Sequence, residues 1–182
     1  MDGPDLPVVQ TVQLPKDRSA ILVLDVNAEC EDPKAKGYGL LNKLGQFLER
    51  ARQSEVPIIY TISLGRKGTP LGKVAAPLRH RDDEPILYPD AFDKFAGDEL
   101  ATMLNQRGIQ NLVIVGRSTN VAVMYTTTSA VRVHKYNVVV PMDGVNANSD
   151  YEHHYALHQL SHLPKSVTVP ITFTNLDKIS FS

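Results

Sequence analysis

Runs of consecutive apolar residues alternate along the chain with segments in which apolar positions recur every three or four residues. Ala20-Ile21-Leu22-Val23-Leu24 is an unbroken apolar run, the pattern of a strand buried on both faces of a parallel sheet. Asp25 follows it directly and so stands at a strand's carboxyl end. Leu40, Leu41, Leu44, Phe47, Leu48 and Ala51 form one helical stripe. Further strands are predicted from Pro57 to Ile62, from Leu112 to Val115 running into Gly116, from Val138 to Val140 before Asp143-Gly144, and over residues 167 to 172. The helices between them include one carrying Leu100, Met103 and Leu104, closed by Gly108. Another spans about 119 to 133. A last one opens on Ser149 and Glu152, which have capping-box spacing, and carries Tyr155 to Leu163.

Strands alternating with helices through short connections predict an α/β fold. The expected form is a three-layer α-β-α sandwich, Rossmann-like, with a mostly parallel sheet and helices on both faces. Residues 1 to 18 carry Pro4, Pro7 and Pro15 and no periodicity, so they read as an arm packed across a single domain of residues 1 to 182. Residues 63 to 89, rich in Gly, Pro and charge, read as a long excursion of the kind that carries function. Open parallel sheets bind ligands beyond the carboxyl ends of their strands. That rule brings Asp25, Ile62-Ser63 and Gly116-Arg117 around one crevice.

Composition narrows the function classes. The 182 residues are 42% hydrophobic and 21% charged, with 19 basic and 20 acidic side chains. There is no basic excess to meet a phosphate backbone, so nucleic acid is not an expected partner. Cys30 is the only cysteine, which excludes an intramolecular disulfide and gives no reason to expect an oxidising compartment. No apolar stretch reaches membrane-spanning length and no signal-like segment opens the chain. The expectation is a cytoplasmic protein with neither membrane insertion nor secretion.

Four segments, in order, resemble the isochorismatase-like cysteine hydrolases, a superfamily that includes nicotinamidases, carbamoylsarcosine amidases and isochorismatases. They are Ala20 to Asp25 with Val26-Asn27; Phe92-Asp93-Lys94-Phe95-Ala96-Gly97-Asp98-Glu99-Leu100; Gly116-Arg117-Ser118-Thr119-Asn120-Val121-Ala122-Val123 with Thr126 and Ala130; and Tyr136 to Val140 with Asp143 and Tyr155-Ala156-Leu157. The resemblance spans roughly residues 20 to 163. It implies a covalent mechanism in which a Cys attacks an amide carbonyl, an Asp takes the thiol proton and a Lys orients the charges. A thiol at the helix entry would also lie beside backbone N–H groups able to stabilise thiolate and oxyanion.

Two of those three residues depart from the pattern. The position aligned with the nucleophile is Ala122, and the position aligned with the lysine, six residues before Phe95, is Pro89. Asp25 is then the remaining member, and Cys30, five residues beyond it, reads as a small packed apolar residue. True isochorismatases work without the thiol by using the Asp as a general acid, which requires a carboxyl kept protonated by burial. Lys94, Arg66, Arg79, Arg81 and Arg117 are the candidates to replace the missing cation. Arg117 stands where the family has an apolar residue, often followed by a cis peptide. It could clamp a carboxylate or pair with an acid such as Glu29.

The expected ligand-contacting residues are Asn27, Arg117, Ser118, Thr119 and Val121, and the expected ligand is a small molecule, with anionic metabolites among the candidates. His154, His158 and His162 share a helical face, but no acid with motif spacing accompanies them, and the Asp-x-His of nicotinamidases is absent near Ser63-Leu64. No metal and no cofactor are expected. Arg79-His80-Arg81-Asp82-Asp83-Glu84 reads as a solvated loop, with a lid over the site as the alternative. The resemblance suggests a homodimer or homotetramer. Two functions stay open: a hydrolase using Asp25 as acid or base without a covalent intermediate, and a catalytically inactive member, a pseudoenzyme, serving as a binding or oligomerisation module. An engineered Cys to Ala change at 122 is a third reading, opposed by Pro89, since such engineering would leave the lysine in place.

Overall fold

The computed structural model describes residues 4–182. Its strands are β1 (Val12–Leu14), β2 (Ser19–Leu24), β3 (Ile58–Thr61), β4 (Ile86–Leu87), β5 (Asn111–Arg117), β6 (Asn137–Pro141), β7 (Val145–Asn146), β8 (Ile171–Thr174) and β9 (Ile179–Phe181). The α-helices are α1 (Leu41–Gln53), α2 (Glu99–Gln106), α3 (Met124–Arg132) and α4 (Asp150–Ser161). The main sheet is ordered β4-β3-β2-β5-β6-β8, with β7 pairing the end of β5, and every pairing is parallel. The α/β expectation with a mostly parallel sheet therefore holds.

Strand alternation explains how both faces are covered. In β2, Ala20, Leu22 and Leu24 pack with α2, α3 and α4 through Leu100, Leu104, Ala130, Val131, Leu157 and Leu160. Ile21 and Val23 point the other way, onto the α1 stripe of Leu41, Leu44, Phe47, Leu48 and Ala51. Adjacent residues on opposite faces of a pleat produce this split, and it requires the unbroken apolar run seen in the sequence.

Several elements escape the apolar pattern. The arm is not irregular throughout: β1 pairs in parallel with β9 at the far end of the chain, and both strands help cover the α1 face through Leu14 and Ile179. The last strand of the main sheet begins at Ile171, later than the expected 167. The excursion after β3 contributes the two-residue edge strand β4 and otherwise consists of short 3-10 turns. Ser149 caps α4 as expected: Glu152 donates its backbone N–H to Ser149 Oγ at 3.3 Å, and the Ser149 hydroxyl donates to the Glu152 carboxylate at 3.1 Å in place of the reciprocal bond of a full capping box.

The part of the excursion from 79 to 84 is anchored to α1 and does not line the cavity beside Asp25. Arg52 meets Glu84 at 2.6 Å, with both side chains buried, and also donates to Tyr60 Oη and to the carbonyl of Leu78. Arg81 lies 3.5 Å from Glu49 on the same helix. The lid alternative for residues 79 to 84 is thus corrected: an ion pair draws this loop down against α1.

Candidate functional site

Gly116 decides the geometry at the centre of the sheet. It pairs with Leu24 in register, and a Cβ placed on it would collide with the Leu24 carbonyl oxygen. Its φ of 117° is open to glycine and costly for other residues. The ends of β2 and β5 therefore approach closely, and the next residue of each strand turns away. Asp25 does so with a φ of 53°, a left-handed conformation that Asp tolerates better than most residues. On the other strand the Arg117–Ser118 peptide is cis. A π turn, Thr119–Val123, then leads into α3, an irregularity frequent at functional sites.

These turns face a cavity of about 290 Å³ lined by Asp25, Asn27, Glu29, Ser63, Arg66, Phe92, Lys94, Arg117, Ser118, Val121 and Ala122. A larger hollow of about 420 Å³ lies against α1, lined by residues such as Asn42 and Gln46; of the candidate site residues it holds only the cation Arg79, away from Asp25. The smaller one is where Asp25, Asn27, Arg117, Ser118, Val121 and Ala122 come together.

Asp25 has partners on both oxygens. Oδ1 accepts the backbone N–H of Ser63 at 3.0 Å, and Oδ2 lies 2.8 Å from the Lys94 ammonium. Lys94 is almost wholly buried, whereas the Asp25 side chain is 25% exposed, so the carboxylate forms the open side of the pair. The expectation of a missing lysine is corrected here. Pro89 lies just past the edge strand β4, where its carbonyl accepts the Leu64 N–H at 3.3 Å within the excursion. The ammonium comes instead from Lys94, five residues on. Its backbone N–H donates to Thr126 Oγ1 on α3 at 3.0 Å, and Asp93 Oδ1 accepts the N–H of Phe95 at 2.9 Å. The Thr126 hydroxyl thus holds the loop that aims the lysine. Its signal was in the sequence as the Thr four residues past Ala122, within the third matching segment.

The π turn carries Val121 and Ala122 into the cavity wall, and the Ser118 carbonyl accepts the N–H groups of Val121 and Val123 at 3.0 and 3.1 Å. Ala122 presents only a methyl group. Asn27 lines the cavity and is buried, with no hydrogen-bond partner for its Oδ1. Thr119 does not contact the cavity as expected. It is fully buried, and its hydroxyl meets His153 Nδ1 on α4 at 2.9 Å, so it fastens the turn to that helix. Burial, followed by the neighbouring His154, holds His153 below its ordinary value, while Asp150 works weakly in the opposite sense.

Arg117 does not pair with Glu29 as its alternative reading supposed. Glu29 is taken by Arg66 at 3.1 Å. Arg117 instead points Nη1 at Cys30 Sγ, 3.9 Å away. Cys30 is a free, buried thiol, as its apolar reading required. Burial pushes it above the ordinary thiol value, and Arg117 offsets part of that rise. The rings of His158, on α4, and His162, just past its end, lie 4.1 Å apart and tilted by 32°, with His162 Nδ1 meeting the His158 carbonyl at 2.8 Å.

A parallel α/β sheet with an acid, a buried lysine and a helix-entry turn converging at its strand ends defines a hydrolase-like α/β protein. Comparison with known proteins makes this specific. Residues 19–173 match the isochorismatase domain. The chain belongs to the isochorismatase family. Among curated relatives, it is 23% identical over 128 residues to an uncharacterized isochorismatase family protein, YaaI, of Bacillus subtilis, covering 63% of this chain and 70% of that one. A cysteine hydrolase from Pseudomonas syringae superposes with a TM-score of 0.77 at 17% identity, covering 98% of this chain and 96% of the other. An isochorismatase-like hydrolase from Alkaliphilus metalliredigens superposes at 0.75 with 24% identity, covering 88% and 96% respectively. No helix among the described residues is long and apolar enough to cross a membrane.

Proposed function

We propose that this protein is a small-molecule hydrolase in which Asp25 activates water and no covalent enzyme intermediate forms. The observation that carries this reading is the 2.8 Å contact between Lys94 and Asp25 beside the Ala122 methyl. Burying an ammonium is expensive unless a partner compensates it, and here the partner faces a cavity. Each oxygen of Asp25 already accepts one hydrogen bond, from Ser63 or from Lys94. A carboxylate so placed still has lone pairs for a water proton. It is arranged to take a proton, which sets it apart from the general-acid role of isochorismatases that work without the thiol.

In the step, a water proton passes to Asp25 as the water oxygen bonds to the electrophilic carbon of the substrate. When the bond to the leaving group breaks, the protonated Asp25 returns that proton to it. Lys94 keeps the acid oriented and its charge balanced throughout. Ala122 gives specific support to a second reading, a member that binds a ligand without turning it over, because a methyl supplies no nucleophile.

Assays of amides, ureides and isochorismate with the parent chain, Asp25→Asn and Ala122→Cys separate the two. Asn also tolerates the left-handed backbone of position 25, so that variant changes the chemistry and spares the turn. The expected result is hydrolysis by the parent, reduced roughly 10²-fold or more in Asp25→Asn. Inactivity of the parent on every substrate, together with amidase activity and a covalent adduct in Ala122→Cys, would replace this proposal with the binding reading.

A further inference from the structure

We propose that Arg117 is the anchor for the carboxylate of a small monoanionic ligand in the cavity beside Asp25. The inference rests on the hydrolase reading for the identity of the site and adds the class of molecule it takes.

Charge pairing within the cavity carries the argument. Of its five charged side chains, Asp25 is matched by Lys94 and Glu29 by Arg66. Arg117 is left over. No acidic oxygen lies within 4.0 Å of it among the described residues. Glu31, next to Cys30 in the chain, accepts the Ala76 N–H at 2.8 Å. Among the described residues the partner of the guanidinium is a sulfur at 3.9 Å, a weak acceptor for a group with five N–H donors.

The side chain is held in place. A Cβ at Gly37 would lie 2.9 Å from Arg117 Cδ and 2.5 Å from Cys30 Sγ, so the bare glycine backbone makes the groove in which the stem rests. An arginine seated this way loses little freedom when it binds, and its planar fork matches a carboxylate through two parallel N–H···O contacts. One uncompensated positive charge suits a monoanion better than a phosphate dianion. The buried, unpartnered Oδ1 of Asn27 offers such a ligand an acceptor for an N–H or O–H group.

The test uses the full chain with benzoate and lactate, their neutral amides benzamide and lactamide, and inorganic phosphate, read by ligand-observed NMR, with thermal melting to check folding. Both carboxylates are expected to bind at least roughly tenfold more tightly than their amides, and Arg117→Gln is expected to erase that preference. If Arg117→Gln does not fold, Arg117→Lys decides, and a several-fold loss of carboxylate affinity is expected from removal of the fork. Equal affinity for acids and amides, no binding of either acid, binding of phosphate alone, or an unchanged preference in the folded variant would each overturn the proposal. Binding is read without turnover. A chain that holds carboxylates through Arg117 yet hydrolyses nothing defeats the hydrolase reading alone; Asp25-dependent hydrolysis with no carboxylate preference defeats this one alone.

Discussion

Arg52 and Glu84 form an ion pair away from the site, and its behaviour with pH follows from its surroundings. Burial alone would raise the Glu84 carboxyl, but the Arg52 guanidinium and the Arg81 backbone N–H outweigh burial and leave it below its ordinary value of 4.5. A carboxyl lowered on folding contributes stability that is fully present above its ordinary value. That contribution fades as pH falls below 4.5 and is gone below the folded-state value. Arg52→Met leaves a buried carboxylate without its cation and should cost about 3–5 kcal/mol at neutral pH, measured by urea denaturation. Its deficit against the parent should shrink in acid. A constant deficit down to acid unfolding would show that Arg52 acts through packing alone. Tyr60, buried beside Glu84, is raised chiefly by that burial and stays a neutral hydrogen-bond partner for Arg52.

At the scale of the element, α1 contains a glycine whose role opposes helix propensity. Gly45 to Ala in an exposed helix stabilises by roughly 1 kcal/mol. Here the added methyl would sit 2.7 Å from the backbone carbonyl oxygen of Pro77, part of the turn that packs on α1. A backbone atom cannot swing aside, so Gly45→Ala should lower the melting temperature; a rise would mean that the 3-10 turn gives way easily.

The same distinction explains what was legible in the sequence. Buried strands and the helical stripe of α1 announced themselves because each obeys one local period. β1 and β9 did not, since each is three residues long and stable only through a partner at the other end of the chain. In the site, Asp25 and the turn before Ala122 were legible because backbone geometry sets them at strand ends. Lys94 was recognised as a cation but not as the partner of Asp25. Linear spacing from Phe95 pointed at Pro89, whereas the Thr126 hydroxyl selects which residue of that loop faces the acid. The Arg66–Glu29 pair, like Arg52 with Glu84, joins residues more than thirty positions apart and leaves no local trace.

At the scale of the whole molecule, His153 links α4 to the π turn through Thr119. It is held below its ordinary value of 6.5 by burial and by His154. A histidine lowered on folding binds its proton more readily in the unfolded chain, so stability is fully present above 6.5 and declines as pH falls toward the folded-state value. Melting temperature should therefore drop as pH falls below 6.5, a limb that opens before the Glu84 contribution begins to fade below 4.5. His153→Gln keeps a hydrogen-bonding side chain and should flatten that limb. An unchanged slope in the variant would assign the decline to other groups.

The close approach of Leu24 and Gly116 has one more effect. Asp25 and Arg117 each follow a residue of that contact, so the separation of their backbones is set by a carbonyl oxygen against a glycine that carries no side chain. Side-chain repacking elsewhere leaves that backbone separation unaltered, while the groove at Gly37 places the Arg117 stem. If Asp25 reacts and Arg117 anchors as proposed above, the cavity is a gauge for molecules whose charged end and cleavable bond match the span between them. Lengthening a substrate by a single methylene should put the bond out of reach of Asp25 while leaving the grip of Arg117 intact, turning a substrate into an inhibitor.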